Sequence, residues 1–204
     1  MDRLYIGENL IGILASRAGT RNLLDKEWCK SLAVRLNHHA SHLGLFPKDA
    51  VAVQCTLFDK TRSASWRVPY HQDLSIPVKQ KIAAPECSLW SEKEGVVYTQ
   101  PPGDVLDQLV AVRVHLDDCG SDNGPLRVIP TSHHQGCITE QNLPDKIKSG
   151  SEVVCSAKNG DVLVMRPLLL HASSKPANPS SRRVLHFLYG PRQLPYGLEW
   201  HQVV

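Results

Sequence analysis

The chain has 204 residues, 42% of them hydrophobic and 21% charged, the composition of a globular domain large enough to bury a full core. This excludes a disordered tail, a collagen-like repeat and a coiled coil. With 23 Lys and Arg against 20 Asp and Glu, the formal charge of +3 is too small and too scattered to mark a nucleic-acid or membrane surface, so a small-molecule partner is expected.

The first segment, MDRLYIGENLIGILASRAG, is partly apolar, but Asp2, Arg3, Glu8 and Asn9 interrupt it before a signal-peptide core or membrane span is reached. Cys29, Cys55, Cys87, Cys119, Cys137 and Cys155 contain no C-x-x-C pair and read as reduced thiols of a cytoplasmic protein. The spacing of Trp28, Leu32, Leu36, Ala40 and Leu43 predicts an amphipathic helix over 25–43, ended by Gly44 in a left-handed cap. His38, His39 and His42 sit at its end, an ordinary place for cations near the helix dipole. After Pro47 the texture changes to β-type runs at 50–58, 65–73, 95–100, 109–116, 125–130, 151–157, 161–166, 168–173 and 182–190. Clusters such as CGSDNGP, KNGD and KPANPSS supply the reversals between them. Many short strands without regular strand–helix alternation predict a mainly β sandwich or barrel with flanking helices, not a Rossmann-type sheet. A single domain is expected, with 1–48 as mostly helical support and 49–204 as the β core.

Within 109–116, alternation places Leu109, Ala111, Arg113 and His115 on one face and Val110, Val112, Val114 and Leu116 on the other. If the polar face looks inward, Arg113 and His115 are pocket residues able to meet an anionic group of substrate or cosubstrate. Trp66, Trp90 and Tyr98 are candidates for a pocket wall, although aromatics more often serve the core.

Of ten histidines, His71 and His171 have the sharpest surroundings. His71 opens an H-x-D with Asp73 at the end of a β-type run, where residues two apart share a face. His171 ends the apolar run LVMRPLLLH. If the two strands face one another, His71, Asp73 and His171 form a two-histidine, one-carboxylate facial triad, which grips Fe(II) and leaves its opposite side open. A strand-end histidine that merely bonds a backbone carbonyl is the plain alternative. Arg182 follows His171 by 11 positions across KPANPSS, so a return strand brings a permanently charged fork beside the site, suited to a distal carboxylate. Ser173 shares a face with His171, and Arg183 falls on the opposite face from Arg182. His133 and His134 form a further pair, read as turn residues rather than metal ligands.

In order, YHQDL (70–74), DDCGSDNGPLRVIPTSH (117–133), GDVLVMRPLLLHASS (160–174) and SRRVLHF (181–187) resemble the phytanoyl-CoA dioxygenase (PhyH) family of Fe(II)- and 2-oxoglutarate-dependent oxygenases, from Phe58 to Tyr189. The resemblance implies a double-stranded β-helix, or jelly roll, with flanking helices. It implies iron ligands at His71, Asp73 and His171, 2-oxoglutarate held by Arg182 and Ser173, and O2 as the second cosubstrate. The implied reaction is hydroxylation of a small-molecule metabolite with release of succinate and CO2. Related halogenases carry a small residue where this chain has Asp73, so the carboxylate favours hydroxylation. Two departures stand out. Pro130-Thr131-Ser132-His133 replaces the P-G-S-H of many relatives, so a different turn is expected because Thr disfavours positive φ. The chain is also short for the family, which argues against a CoA-thioester substrate. The rival readings are a non-catalytic metal and 2-oxoglutarate binder or sensor, and a cupin-like zinc or manganese enzyme in which Arg182 is incidental.

Overall fold

The computed structural model describes residues 19–60, 67–177 and 181–204; the expectations for the first 18 residues and for Trp66 lie outside them. Its largest sheet joins β1 (Gly19–Thr20), β2 (Ala50–Lys60), β7 (Val110–His115), β10 (Val162–Met165) and β12 (Arg182–Pro191) in the order β1-β2-β12-β7-β10. A second sheet joins β3 (Val68–His71), β8 (Leu126–Val128), β9 (Val153–Cys155) and β11 (His171–Ser173) in the order β3-β11-β8-β9. All pairings in both are antiparallel. This is the expected mainly β jelly roll.

Alternation gives the large sheet two different faces. Cys55 and Leu57 of β2, Val112 and Val114 of β7, and Leu185, Phe187 and Tyr189 of β12 pack outward against Cys29, Leu32 and Ala33 of helix α1 (Glu27–His42). The Tyr189 hydroxyl donates to the Ala33 carbonyl at 2.9 Å. No side chain caps the start of α1, so its stability derives from this packing, at about 1.5–3 kcal/mol per large buried side chain. The opposite face, with Phe58, Lys60, Arg113, Arg182, Val184 and His186, lines a cavity of about 320 Å³.

Helix α1 starts later than predicted, because Leu23–Asp25 form a separate 3-10 turn. It also ends at His42 and leaves Leu43 73% exposed, outside the apolar stripe, although Gly44 does take the left-handed conformation at φ 67°. His38, His39 and His42 are exposed near the end of α1.

A third sheet was not anticipated in full: β4 (Ile76–Val78), β5 (Ser88–Lys93) and β6 (Val96–Gln100) pair in the order β4-β6-β5. Only β6 carried a visible apolar run. The one-turn helix α2 (Gly103–Leu106) and the helix α3 (Leu143–Ser149), which buries no residue, were likewise unanticipated. Among the described residues no helix is long and apolar enough to cross a membrane, and all six cysteines are free thiols.

Candidate metal centre

Strands β3 and β11 pair so that His71 and His171 stand directly opposite one another, with ring centroids 4.2 Å apart. Each ring bonds through Nδ1 to the carbonyl two residues before it, Pro69 at 2.9 Å and Leu169 at 2.8 Å. The plain reading of a strand-end histidine is therefore true of Nδ1, and it serves the other reading. A donated Nδ1–H fixes the neutral form that presents the Nε2 lone pair inward.

Asp73 completes the group, with Oδ1 3.6 Å from Nε2 of His71 and Oδ2 3.6 Å from Nε2 of His171. One donor atom from each of the three lies within 4.8 Å of the others. Strand geometry does not place Asp73 as expected, because β3 stops at His71. The following turn is pinned instead. The Asp73 amide donates to Pro167 O at 2.9 Å, and Gln72 donates to Gly136 O at 2.8 Å and Leu168 O at 2.6 Å while accepting from the Ile138 amide at 2.7 Å. Gln72, the unconsidered middle of H-x-D, thus commits its amide to neighbouring backbone and holds the turn in place.

Burial alone would raise the Asp73 carboxyl, but His171, His71 and His186 outweigh it and hold the group far below the usual carboxylate range. Burial pulls His171 down, and Asp73 offsets only part of that. Burial opposes a proton on His71, but the hydrogen bond and charge of Asp73 outweigh it and raise that group, so an arriving cation would have to displace the proton. One carboxylate and two imidazoles form a donor set that fits a divalent first-row metal. His171 is nearly enclosed, while the Asp73 and His71 side chains are 37% and 38% exposed and line the cavity, which leaves one side of the centre accessible.

The segment before β11 is fixed by the turn that differs from the resembling family. Thr131 takes the left-handed conformation at φ 65° despite its β-branch, against the local preference of Thr. Ser132 is buried; its hydroxyl donates to Ile129 O at 2.7 Å and accepts from the Leu170 amide at 2.8 Å, bracing the residue before His171. On the far side, Gly124 approaches so closely that a Cβ would lie 2.5 Å from Ser174 O, a gap only glycine allows. His133 and His134 lie in the 3-10 turn Ser132–Gln135, outside the metal group.

Arg182 is 5% exposed and lines the same cavity as the triad, as does Ser173. Sequence reasoning missed their neighbour Lys60, which pairs with Arg182 across β2 and β12 and donates from Nζ to Ser173 Oγ at 3.0 Å. Burial first, then Arg182 and Arg113, push the Lys60 ammonium down to about 8. Arg183 lies outside the cavity in a two-point bond to Asp117, from Nε at 2.8 Å and Nη2 at 2.6 Å.

Arg113 faces inward, as the alternation of β7 allows, and lines the cavity; His115 does not reach it. His115 is buried beside Arg113 and Arg182, and its desolvation together with those charges pushes it down to about 4. A second residue that sequence reasoning passed over is His186, opposite Arg113 in the β7–β12 register. Arg113 Nη1 lies 3.0 Å from His186 Nδ1. A guanidinium only donates, so Nδ1 accepts and His186 carries its proton on Nε2, 3.9 Å from Asp73 Oδ2. Burial and then the Arg113 charge push His186 down to about 3, which keeps it neutral. The HF of RRVLHF held this signal, since His186 shares the strand face of Arg182. Of the proposed aromatic walls, Tyr98 lines the cavity, whereas Trp90, on β5, is partly buried against the core cluster that includes Ile76, Val78 and Leu106.

No curated protein sequence matches the chain significantly. Solved structures do share its fold. EvdMO1 superimposes with a TM-score of 0.61 at 20% identity, over 87% of this chain and 36% of its own. EctD from S. alaskensis, solved with 2-oxoglutarate and 5-hydroxyectoine, gives 0.61 at 18% identity, over 85% of this chain and 56% of its own. HygX from Streptomyces hygroscopicus, solved with nickel, 2-oxoglutarate and hygromycin B, gives 0.58 at 15% identity, over 91% and 80%. The chain thus spans little more than a third of EvdMO1 and just over half of EctD. A family model described as phytanoyl-CoA dioxygenase (PhyH) matches residues 23–184, in agreement with the segments, the jelly roll and the triad above, and the chain belongs to that family.

Proposed function

We propose that the protein is an Fe(II)- and 2-oxoglutarate-dependent dioxygenase that hydroxylates a small-molecule metabolite, with His71, Asp73 and His171 as metal ligands and Arg182, Ser173 and Lys60 as the seat of the cosubstrate's distal carboxylate. One observation carries this reading: a half-open two-histidine, one-carboxylate group and a buried cationic recess built from Arg182, Lys60 and Ser173 share one cavity. A metal-only enzyme has no use for two buried cations there. A dicarboxylic keto acid that chelates the metal at one end needs them at the other.

Iron(II), 2-oxoglutarate and O2 together supply the oxidising chemistry, yielding succinate and CO2 as the substrate is hydroxylated. The chain's own residues position and enclose. Nε2 of His71, Nε2 of His171 and the Asp73 carboxylate would hold the ion, the two rings oriented by the Pro69 and Leu169 carbonyls and the Asp73 main chain by its amide bond to Pro167. Arg182 and Lys60 receive a carboxylate in a recess where burial strengthens the attraction. Val184, Phe58 and Leu126 line the cavity with apolar surface that limits water near the reacting atoms.

The test is O2 uptake coupled to succinate release by the iron-loaded protein, screened against metabolite pools. Stimulation of both, dependent on 2-oxoglutarate, is expected. Turnover that persists without 2-oxoglutarate or O2 would support the zinc or manganese reading instead, and stoichiometric binding with no succinate from any pool would support the sensor.

A further inference from the structure

Arg113 presents a problem that neither the metal nor the cosubstrate resolves. It is 8% exposed, and among the described residues no carboxylate lies within ion-pair distance of it. Nη1 is committed to His186, the guanidinium lies 5.7 Å from the centre of the Phe58 ring, and Nε is shielded from solvent with no hydrogen-bond partner. The Asp73 charge offsets only part of the cost of its burial, and a guanidinium with no carboxylate in contact is better satisfied once an anion arrives to complete it.

The cosubstrate is not well placed to be that anion. Its distal anchor is Arg182 opposite Lys60, whereas Arg113 stands opposite His186, four residues further along β12. Arg113 is close enough to add to the repulsion on Lys60, so one distal carboxylate has three cations to answer. Its other carboxylate belongs at the metal. Charge leads to the same conclusion. Asp73 is the one carboxylate lining the described cavity, against Lys60, Arg113 and Arg182 inside and Arg21 and Lys93 also lining it. Glu94 answers Arg21 at 3.0 Å, and Lys93 sits 4.9 Å above the Tyr98 ring. With a divalent ion and a dianionic cosubstrate bound, the cavity still carries an excess of positive charge.

We propose that Arg113 binds an anionic group of the substrate, so that the substrate is a small anion, with a carboxylate as its simplest form. The inference rests on the oxygenase reading above and deepens it. A cavity of about 320 Å³, near the small end of the usual range of about 300–1,000 Å³ and shared with the cosubstrate, sets the size. Leu74, Leu109 and Leu188 supply an apolar wall for its carbon skeleton. His186 is held by Arg113 with its Nε2–H toward Asp73, so the same contact positions the anion beside the metal.

The experiment uses protein loaded with cobalt(II) and one equivalent of 2-oxoglutarate. Two probes with one skeleton, 3-phenylpropanoate and 3-phenylpropan-1-ol, are titrated in, and the paramagnetic relaxation of their protons reports binding close to the metal. The carboxylate is expected to bind at least about tenfold more tightly than the alcohol. Arg113→Met removes that preference, and Arg113→Lys keeps part of it. In both variants the 2-oxoglutarate affinity stays within about threefold of the parent, which also shows that the site has folded. Equal binding of the two probes, a preference that survives Arg113→Met, or a loss of 2-oxoglutarate affinity as large as that of Arg182→Met overturns the proposal. Protein that binds neither cobalt nor 2-oxoglutarate refutes the oxygenase reading itself; protein that binds both and ignores the carboxylate refutes this inference alone.

Discussion

Replacing Arg182 by Met tests the cosubstrate recess through two effects of opposite sign. In the free protein Arg182 is buried beside Lys60, whose ammonium it helps to destabilise, so its removal relieves repulsion between like charges. The variant without cosubstrate should therefore be at least as stable as the parent and Lys60 should hold its proton more firmly. With 2-oxoglutarate the balance reverses. Truncating one partner of a buried charge pair costs about 2–5 kcal/mol. Lys60 remains at the recess, 3.0 Å from Ser173, and its charge is better kept in the variant. The expected loss is therefore at the low end, about 2–3 kcal/mol, or roughly 30- to 150-fold in dissociation constant. Anaerobic titration of the iron-loaded protein, followed by the visible charge-transfer band of a chelated keto acid, measures that constant; thermal unfolding without ligand measures the other effect. A variant that loses stability without ligand and keeps its 2-oxoglutarate affinity would show Arg182 to be a structural cation and refute the reasoning.

Lys60 predicts a pH dependence. Its ammonium falls to about 8 in the unliganded fold, so above that pH the protein must take up a proton to receive a carboxylate. Affinity for 2-oxoglutarate should be flat below pH 8 and fall by up to about tenfold per unit above it, and Lys60→Met should abolish the slope. Because the folded value lies below the unfolded 10.5, the unfolded chain binds more protons between pH 8 and 10.5, and the stability of the unliganded protein should rise across that window. Gln72→Ala removes three hydrogen bonds behind Asp73. It should lower stability by about 2–4 kcal/mol in urea unfolding, and metal affinity with it; unchanged metal affinity would show that the turn needs no such anchor. Thr131→Gly releases a β-branched residue from φ 65° and loses only an exposed bond to Pro130 O. The urea midpoint should rise, for a gain of about 0.5–1 kcal/mol, and a fall would mean that Thr131 is not strained.

Much of the site could be read from the sequence because its residues belong to short motifs. His71 with Asp73, His171 with Ser173, and Arg182 beyond the turn are each local pairs, and the antiparallel return of β12 turns spacing along the chain into proximity. Lys60 and His186 were missed because they have no motif of their own. Alternation along β12 puts His186 on the face of Arg182, but the partners of both residues become visible only when β12 is laid beside β2 and β7, which sets Arg182 against Lys60 and His186 against Arg113. The same limit explains the third sheet. β5 is an edge strand with a bulge and mostly exposed polar residues, so no apolar alternation marks it. The turn at Thr131 shows the converse error: a local preference against positive φ was overridden by tertiary bonds through Ser132. Asp73 was placed correctly for an incomplete reason, since Gln72 and Pro167, rather than strand pleating, set its position.

The most direct measurement is a crystal structure of the protein loaded anaerobically with iron(II) and 2-oxoglutarate. The account predicts one ion bound by Nε2 of His71, Nε2 of His171 and a carboxylate oxygen of Asp73, with the cosubstrate's far carboxylate against Arg182 and Lys60. An ion bound elsewhere, or a cosubstrate lying away from Arg182, would contradict it.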